Sequence, residues 1–89
     1  MNYSNIVEIY GSEVLEEIEK NKEEFNQNIQ YLFQLGFDDV YDMAEREPLL
    51  FLYDSITFKN KINNLIAKIG PDYVYEIEND ISLLEELLW

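Results

Sequence analysis

The chain has 89 residues, 47% of them hydrophobic and 15% aromatic, which predicts a single domain (residues 1–89) with one modest core and excludes a disordered chain. Nineteen Asp and Glu against six Lys and Arg give a formal net charge of −13 at pH 7. This charge argues against direct binding to nucleic acid or to an anionic membrane, because both repel it, and predicts a basic protein partner.

The first predicted element is a short helix over residues 4–10, where apolar residues recur at helical spacing and a glycine follows. Residues 13–35 have the clearest helical period of the chain and are predicted to form one long helix with Ser12 as its N-cap. The apolar stripe of this helix contains Val14, Leu15, Ile18, Phe25, Ile29, Leu32 and Phe33. Gly36 is predicted to stop the helix, with Phe37 supplying the accompanying hydrophobic contact.

A short helix is predicted next, with Asp38 as its N-cap. Its inner face carries Val40, Met43 and Ala44. Pro48 cannot continue this helix, which leaves two alternatives for the segment that follows. Either a new helix begins at Pro48, or residues 49–52 form a buried connection and Asp54 or Ser55 caps the next helix.

The helix after this connection is marked by Phe58, Ile62, Leu65, Ile66 and Ile69. Gly70 and Pro71 end it, and Asp72 is predicted to cap another short helix. Apolar residues dominate the tail that follows, and no segment alternates apolar and polar residues long enough to predict a strand. The predicted fold class is therefore all-α.

Two stretches of the chain, 34 residues apart, are nearly the same: LGFDDVYDMAEREPLL (residues 35–50) and IGPDYVYEIENDISLL (residues 69–84). The matched pairs include Gly36 and Gly70, Asp38 and Asp72, Val40 and Val74, Tyr41 and Tyr75, Met43 and Ile77, and Leu50 and Leu84. A weaker third copy begins at Ser4. The period predicts a small stack of about three helix-turn-helix units, in which short helices alternate with long ones. Tyr41 and Tyr75 are predicted to pack between the units.

Residues 32–70 resemble the helical repeat of the mitochondrial transcription termination factor family. The matching features are a Leu-Gly helix end at residues 35–36, an acidic short helix at 38–46, Pro-Leu-Leu at 48–50, and a helix that closes on Ile-Gly at 69–70. The resemblance implies a right-handed stack of helix pairs, although the second copy has Ser82 in place of the proline. Nucleic-acid binding in that family depends on a basic concave face, so the resemblance does not extend to function in this acidic chain.

The sequence contains no catalytic signature. It has no cysteine or histidine and only three glycines, which excludes thiolate chemistry, Cys/His zinc sites and a glycine-rich phosphate loop. Asp38, Asp39 and Asp42 lack the spacing of a calcium-binding loop and are expected to serve partly as caps. We therefore predict no enzyme, no cofactor and no metal. The absence of a signal peptide or a membrane-length apolar run predicts a cytoplasmic protein.

Positive charge is concentrated in residues 54–70, which hold three lysines and one acid, whereas residues 1–53 hold twelve acids and three bases and residues 71–89 hold six acids and no base. We expect Lys59, Lys61 and Lys68 to pair with acidic neighbours; a remoter alternative is that they bind nucleic acid. Glu16 and Lys20 are expected to form an i,i+4 pair on the long helix.

The acids beyond those needed as caps, together with exposed tyrosines, are predicted to bind the partner. The predicted partner-binding residues are Asp39, Asp42, Glu45, Glu47, Glu76, Glu78, Asp80, Tyr53 and Tyr73. The predicted function is that of an inhibitor that occupies the nucleic-acid-binding or other basic surface of a protein such as a nuclease. Phage anti-defence proteins, immunity proteins and antitoxins are of this type.

The alternative function is a structural or regulatory adaptor with an apolar groove, in which the charge serves only solubility. Phe51, Tyr53 or Trp89 would then contact the partner. From the sequence alone, Trp89 is either part of the core or an anchor at the interface.

Overall fold

A computed structural model describes residues 3–88, which form six α-helices and two 3₁₀ helices. In chain order these are α1 (Tyr3–Tyr10), α2 (Ser12–Lys20), α3 (Lys22–Gln34), α4 (Val40–Arg46), the 3₁₀ helix η1 (Leu50–Leu52), α5 (Ser55–Ile69), α6 (Tyr73–Asn79) and the 3₁₀ helix η2 (Ile81–Leu88). No strand occurs within these residues, which confirms the all-α prediction. None of these helices is both long enough and apolar enough to cross a membrane.

The predicted long helix over residues 13–35 is wrong, because Asn21 separates α2 from α3. The backbone of Asn21 leaves the helical region (φ −113°, ψ 31°), and its side-chain amide donates to the carbonyl of Glu17 at 2.9 Å. Asparagine offers the backbone such local hydrogen bonds in place of the helical ones, so it is a poor residue for a helix interior. The N-cap prediction was also wrong: Gly11 occupies that position and Ser12 is the first helical residue.

The end of α3 follows the prediction for Gly36. The N–H of Phe37 donates to the carbonyl of Leu32 at 3.2 Å, and the N–H of Gly36 donates to the carbonyl of Phe33 at 3.1 Å. These two bonds form a Schellman motif, which requires a left-handed residue, and Gly36 has φ +101°. Phe37 is buried beside the motif and supplies the expected hydrophobic contact.

Aspartate precedes three of the α-helices but caps only one of them. Asp54 accepts a hydrogen bond from the N–H of Thr57 at 2.9 Å and another from its hydroxyl at 2.7 Å, and these bonds lower the pKa of Asp54. This confirms a buried connection followed by a cap at Asp54. Asp39, not Asp38, occupies the N-cap position of α4, and neither Asp39 nor Asp72 makes a side-chain cap bond.

The core gathers apolar residues from all eight helices around three phenylalanine rings. The buried hydrophobic residues are Ile6, Ile18, Phe25, Ile29, Leu32, Phe37, Val40, Met43, Ala44, Leu50, Phe51, Phe58, Ile62, Leu65, Ile77, Leu84 and Leu87. The ring of Phe51 in η1 lies 6.0 Å from that of Phe25 in α3 and 5.1 Å from that of Phe58 in α5. The ring of Phe51 in η1 therefore packs between α3 and α5, the two longest helices.

Polar side chains of α3 hold the η1–α5 connection in place. The buried amide of Asn28 donates to the carbonyls of Phe51 (3.0 Å) and Tyr53 (2.8 Å). One turn earlier, the carboxylate of Glu24 accepts the N–H of Ser55 at 2.6 Å. Tyr53 is extended and interrupts the helical hydrogen bonding between η1 and α5. The side chains of Asn28 and Glu24 supply partners for backbone groups on either side of this break.

The 34-residue period is visible in the order of the helices. Shifted by 34 residues, α3 falls within α5, and α4 matches α6 to within one residue. The runs α1–α2–α3 and α4–η1–α5 are each short, short and long, and α6–η2 has the first two members of another run. Each full unit thus has three helices rather than the predicted two.

Candidate protein-binding surface

Tyr41 is half exposed and packs against Phe33 of the preceding unit, as predicted, whereas Tyr75 faces solvent, which corrects the prediction for that residue. Their exposed fractions are 47% and 69%. On α4 the core face is set by Val40 and Met43, and the next residue after Val40 lies about 100° around the helix, outside that face. The ring of Tyr41 lies 5.5 Å from that of Phe33 in a T-shaped arrangement.

The turn before α4 contacts α6, so the two copies of the acidic stretch are neighbours in space. The N–H of Asp38 donates to a carboxylate oxygen of Glu78 at 2.8 Å. The hydroxyl of Tyr73 donates to the carbonyl of Leu35 at 2.8 Å. We define the acidic surface as five exposed residues of these neighbouring elements: Asp39, Tyr41, Asp42, Tyr75 and Glu76.

Four of the predicted partner-binding residues are exposed carboxylates. Asp39 and Glu76 make no side-chain hydrogen bond or ion pair within residues 3–88. Asp42 lies 3.3 Å from Arg46, but both side chains are at least half exposed, so the pair is a weak one. Asp80 accepts a hydrogen bond from the hydroxyl of Ser82.

Glu45, Glu78, Tyr53 and Tyr73, also predicted to bind the partner, make contacts within the chain. Glu45 accepts from the amide of Asn5 at 3.1 Å, and Glu78 holds the turn before α4. Tyr73 packs its ring 5.8 Å from that of Phe37, in addition to its bond with the α3 end. Tyr53 is half-buried under Lys61. Glu78 and Tyr73 therefore hold the turn before α4 against α6, Glu45 joins α4 to α1, and Tyr53 lies in the η1–α5 connection.

Glu47 is buried, which removes it from the predicted surface. It is 9% exposed and lies at the junction of α1, α4 and η2. Burial, and then the neighbouring charge of Glu85, raises the pKa of Glu47. Tyr10 donates its hydroxyl to the carbonyl of Arg46 at 2.7 Å, and its pKa is raised by burial and by the same two carboxylates. Within residues 3–88 no cation forms an ion pair with Glu47 or Glu85 at this junction.

Few acids are neutralised by cations within residues 3–88. The two ion pairs there join Lys20 to Glu17 at 3.7 Å and Arg46 to Asp42, so the expected pairing of Lys20 with Glu16 was wrong. The lysines of α5 were predicted to pair with acids, but none of them forms an ion pair within residues 3–88. Lys59 lies over the ring of Tyr31 at 5.3 Å, and Lys61 lies over Tyr53 at 4.8 Å.

Of the residues suggested for an apolar groove, Phe51 cannot contribute to one. Phe51 is fully buried in the core, and Trp89 lies outside the described residues. Other aliphatic side chains are exposed on separate elements, namely Ile9, Leu49 and Ile56. Isolated exposures of this kind are normal on protein surfaces.

Within residues 3–88, no group of three or more acidic side chains is arranged to hold a metal ion. Comparisons with protein-family models, with curated proteins and with solved structures gave no match. The resemblance of residues 32–70 to the mitochondrial transcription termination factor repeat therefore stays a prediction.

Proposed function

We propose that this chain is a non-enzymatic, cytoplasmic protein-binding module whose acidic surface occupies a basic, nucleic-acid-binding surface of a partner and so inhibits it. The proposal is supported by one observation above all: α4, the residue before it and α6 expose acids close in sequence to two large exposed tyrosines, and most of these acids have no cation partner within residues 3–88. Phage anti-defence proteins, immunity proteins and antitoxins would be functional parallels.

Electrostatic attraction should raise the association rate of the complex and favour a basic partner over a neutral or acidic one. A net charge of −13 attracts a positively charged groove from a distance and raises the association rate at low salt. Carboxylates held on helices then replace the phosphates for which such a groove is built. Folding does not require this excess, because nearly all of the core is apolar.

The tyrosines supply buried contact area. Tyr41 and Tyr75 are rigid, with two side-chain torsions each, so ordering them at an interface costs little conformational entropy. Tyrosine is enriched among the residues that contribute most to binding free energy, whereas exposed charges contribute mainly to the association rate. The two residue types of the acidic surface should therefore have separable kinetic effects.

The test begins by isolating the partner from the native host with the tagged chain and identifying it by mass spectrometry. The purified complex is then challenged with duplex DNA at several salt concentrations. We expect DNA to displace the chain and salt to weaken the complex. A complex that is indifferent to salt, to DNA and to the substitutions Asp39→Asn and Asp42→Asn would contradict the proposal.

The adaptor function is the second candidate, and Ile56, the most exposed large hydrophobic residue in the described part of the chain at 72%, is the residue at which to test it. It makes the opposite prediction in the same assay. Substitution of Ile56 by Ser would then weaken the complex, and neutralisation of the acidic surface would leave it intact.

A further inference from the structure

A groove of about 380 Å³ runs along α3 beside α5, outside the acidic surface. It is lined by Glu23, Asn26, Gln27, Gln30, Tyr31, Gln34 and Lys59. All seven side chains are polar or amphipathic, and most are carboxamides. The lining is thus unlike the core of the protein and unlike its acidic surface.

The four carboxamides of the groove have no hydrogen-bond partner within the described part of the chain. Five amides elsewhere bond within the protein, those of Asn5, Asn21, Asn28, Asn63 and Asn79, whereas the exposed amides of Asn60 and Asn64 on α5 make no such bond within residues 3–88. Each free carboxamide offers two donor hydrogens and one acceptor oxygen. The groove therefore presents a row of unused hydrogen-bonding groups of both kinds.

Charge is nearly absent along this row. Residues 25–37 contain no charged side chain, in a chain whose charged fraction is 28%. Glu23 lies at the N-terminal end of the groove, and Lys59 contributes a positive charge from α5. Tyr31 is fixed by its bond to Asn63 (2.6 Å), and its ring lies under the ammonium of Lys59. A cation–π contact leaves the ammonium hydrogens available to an acceptor.

We propose that this groove binds an extended peptide segment of a partner protein, whose main chain bonds to the carboxamides and whose basic side chain lies against Glu23. A carboxamide matches a peptide group, because it can accept from the main-chain N–H and donate to the carbonyl. Lys59 donates to a main-chain carbonyl farther along the segment. From Glu23 to Gln34 the helix rises about 16 Å, the length of about five extended residues.

The chemistry of the groove disfavours the other occupants. An apolar helix would bury the carboxamides without partners, which is costly. A nucleic-acid strand would bring its phosphates to Glu23 and to a chain of net charge −13. This inference goes beyond the proposed inhibitory function and does not depend on the acidic surface.

The probe is a phage-displayed library of random heptapeptides, selected on the intact chain after depletion on the triple variant Asn26→Ala, Gln30→Ala, Gln34→Ala. We expect enriched peptides with one Lys or Arg near an end. Synthetic copies should lose about tenfold or more in affinity for the triple variant and for Lys59→Gln. N-methylation of the central peptide bonds, which removes main-chain donors, should cause a similar loss.

The matched controls remove the same chemical groups outside the groove. Asn60→Ala, Asn64→Ala and Lys68→Gln alter exposed residues of α5 that do not line it, and we expect these variants to bind normally. The variant Asp39→Asn, Asp42→Asn, Glu76→Gln should also bind normally, which separates this site from the acidic surface. Far-UV circular dichroism checks that each variant is folded.

Three results would overturn the proposal. The first is no enrichment on the intact chain over the triple variant. The second is selected peptides that tolerate N-methylation, since side chains alone would then explain binding. The third is tighter binding of a uridine dodecamer than of any selected peptide, lost in the triple variant, because the groove would then be a nucleic-acid site.

Discussion

The acidic surface and the α3–α5 groove differ in how their polar groups are used. On the acidic surface, carboxylates of α4 and α6 stand beside solvent-exposed tyrosines, and Arg46 is the one cation that pairs with them in the described part of the chain. In the groove, carboxamides replace carboxylates, and the one lysine lies on a tyrosine ring. Acidic residues occur on six of the eight described helices and are absent from η1 and α5, so α5 contributes no negative charge to the groove.

Both surfaces depend on the same hydrophobic core, so a substitution that destabilises the core should abolish binding at both. Phe51→Ala removes the ring between Phe25 and Phe58, and we expect it to destabilise the fold by about 3–5 kcal/mol. Urea denaturation followed by circular dichroism measures this change. Tyr75→Ala is the control, expected to stay within about 0.5 kcal/mol because the side chain is exposed. Equal stability of the two variants would contradict the assignment of Phe51 to the core.

The two residue types of the acidic surface can be separated by kinetics. We expect Tyr41→Ala or Tyr75→Ala to weaken binding of the isolated partner by about 2 kcal/mol, chiefly through faster dissociation. Asp39→Asn should instead slow association and reduce its salt dependence. Surface plasmon resonance at several salt concentrations distinguishes these effects. A tyrosine variant with unchanged dissociation would remove the tyrosines from the interface.

Asn28 is the inward-facing counterpart of the groove amides on the same helix. Asn28→Ala leaves the buried carbonyls of Phe51 and Tyr53 without donors, and we expect a loss of about 1–3 kcal/mol in unfolding free energy. Gln27→Ala, on the outer side of α3, should leave stability nearly unchanged. If thermal denaturation shows the same midpoint for both variants, Asn28 does not hold the connection.

Glu47 gives the smallest expected effect, and it depends on pH. The pKa of Glu47 is raised in the folded state, so the folded protein binds more protons than the unfolded chain. The free energy of unfolding therefore falls as the pH rises from the pKa of Glu47 in the unfolded chain to its higher pKa in the folded protein. Glu47→Gln should therefore stabilise the protein at pH 7, seen as a higher Tm, by less than Asn28→Ala destabilises it, and the gain should shrink toward pH 4.

Glu86→Gln is the matched control for Glu47→Gln. It makes the same change in net charge at an exposed position of η2. An equal gain in both variants would mean that general charge repulsion, and not the burial of Glu47, sets the effect.

Much of the fold could be predicted from the sequence, because apolar spacing and glycine positions report directly on helix packing and helix ends. The structure confirms the predicted end of α3 at Gly36 and the predicted N-cap of α5 at Asp54. The break at Asn21 could not be found in this way, since the apolar stripe passes through it without a change of phase. The break coincides with a hydrogen bond from the side-chain amide of Asn21 to the carbonyl of Glu17, and the spacing of apolar residues does not report on such a bond.

The candidate sites were harder to predict for two reasons. Burial of Glu47 depends on contacts between elements distant in sequence, and its position beside Pro48 gave no sign of it. The exposure of Tyr41 could have been found from the helical projection of α4, once Val40 and Met43 were assigned to the core. The groove amides recur at helical spacing along α3, but spacing alone does not show that they lack partners within the protein.

The central claim is that function resides in the acidic surface rather than in total charge. The most direct measurement is the salt dependence of affinity for the isolated partner in two variants of equal net charge. One is Asp39→Asn, Asp42→Asn, Glu76→Gln, and the other is Glu13→Gln, Glu16→Gln, Glu19→Gln on exposed positions of α2. We predict that only the first loses about tenfold or more in affinity and has a shallower salt slope. Equal losses in both variants would contradict the claim.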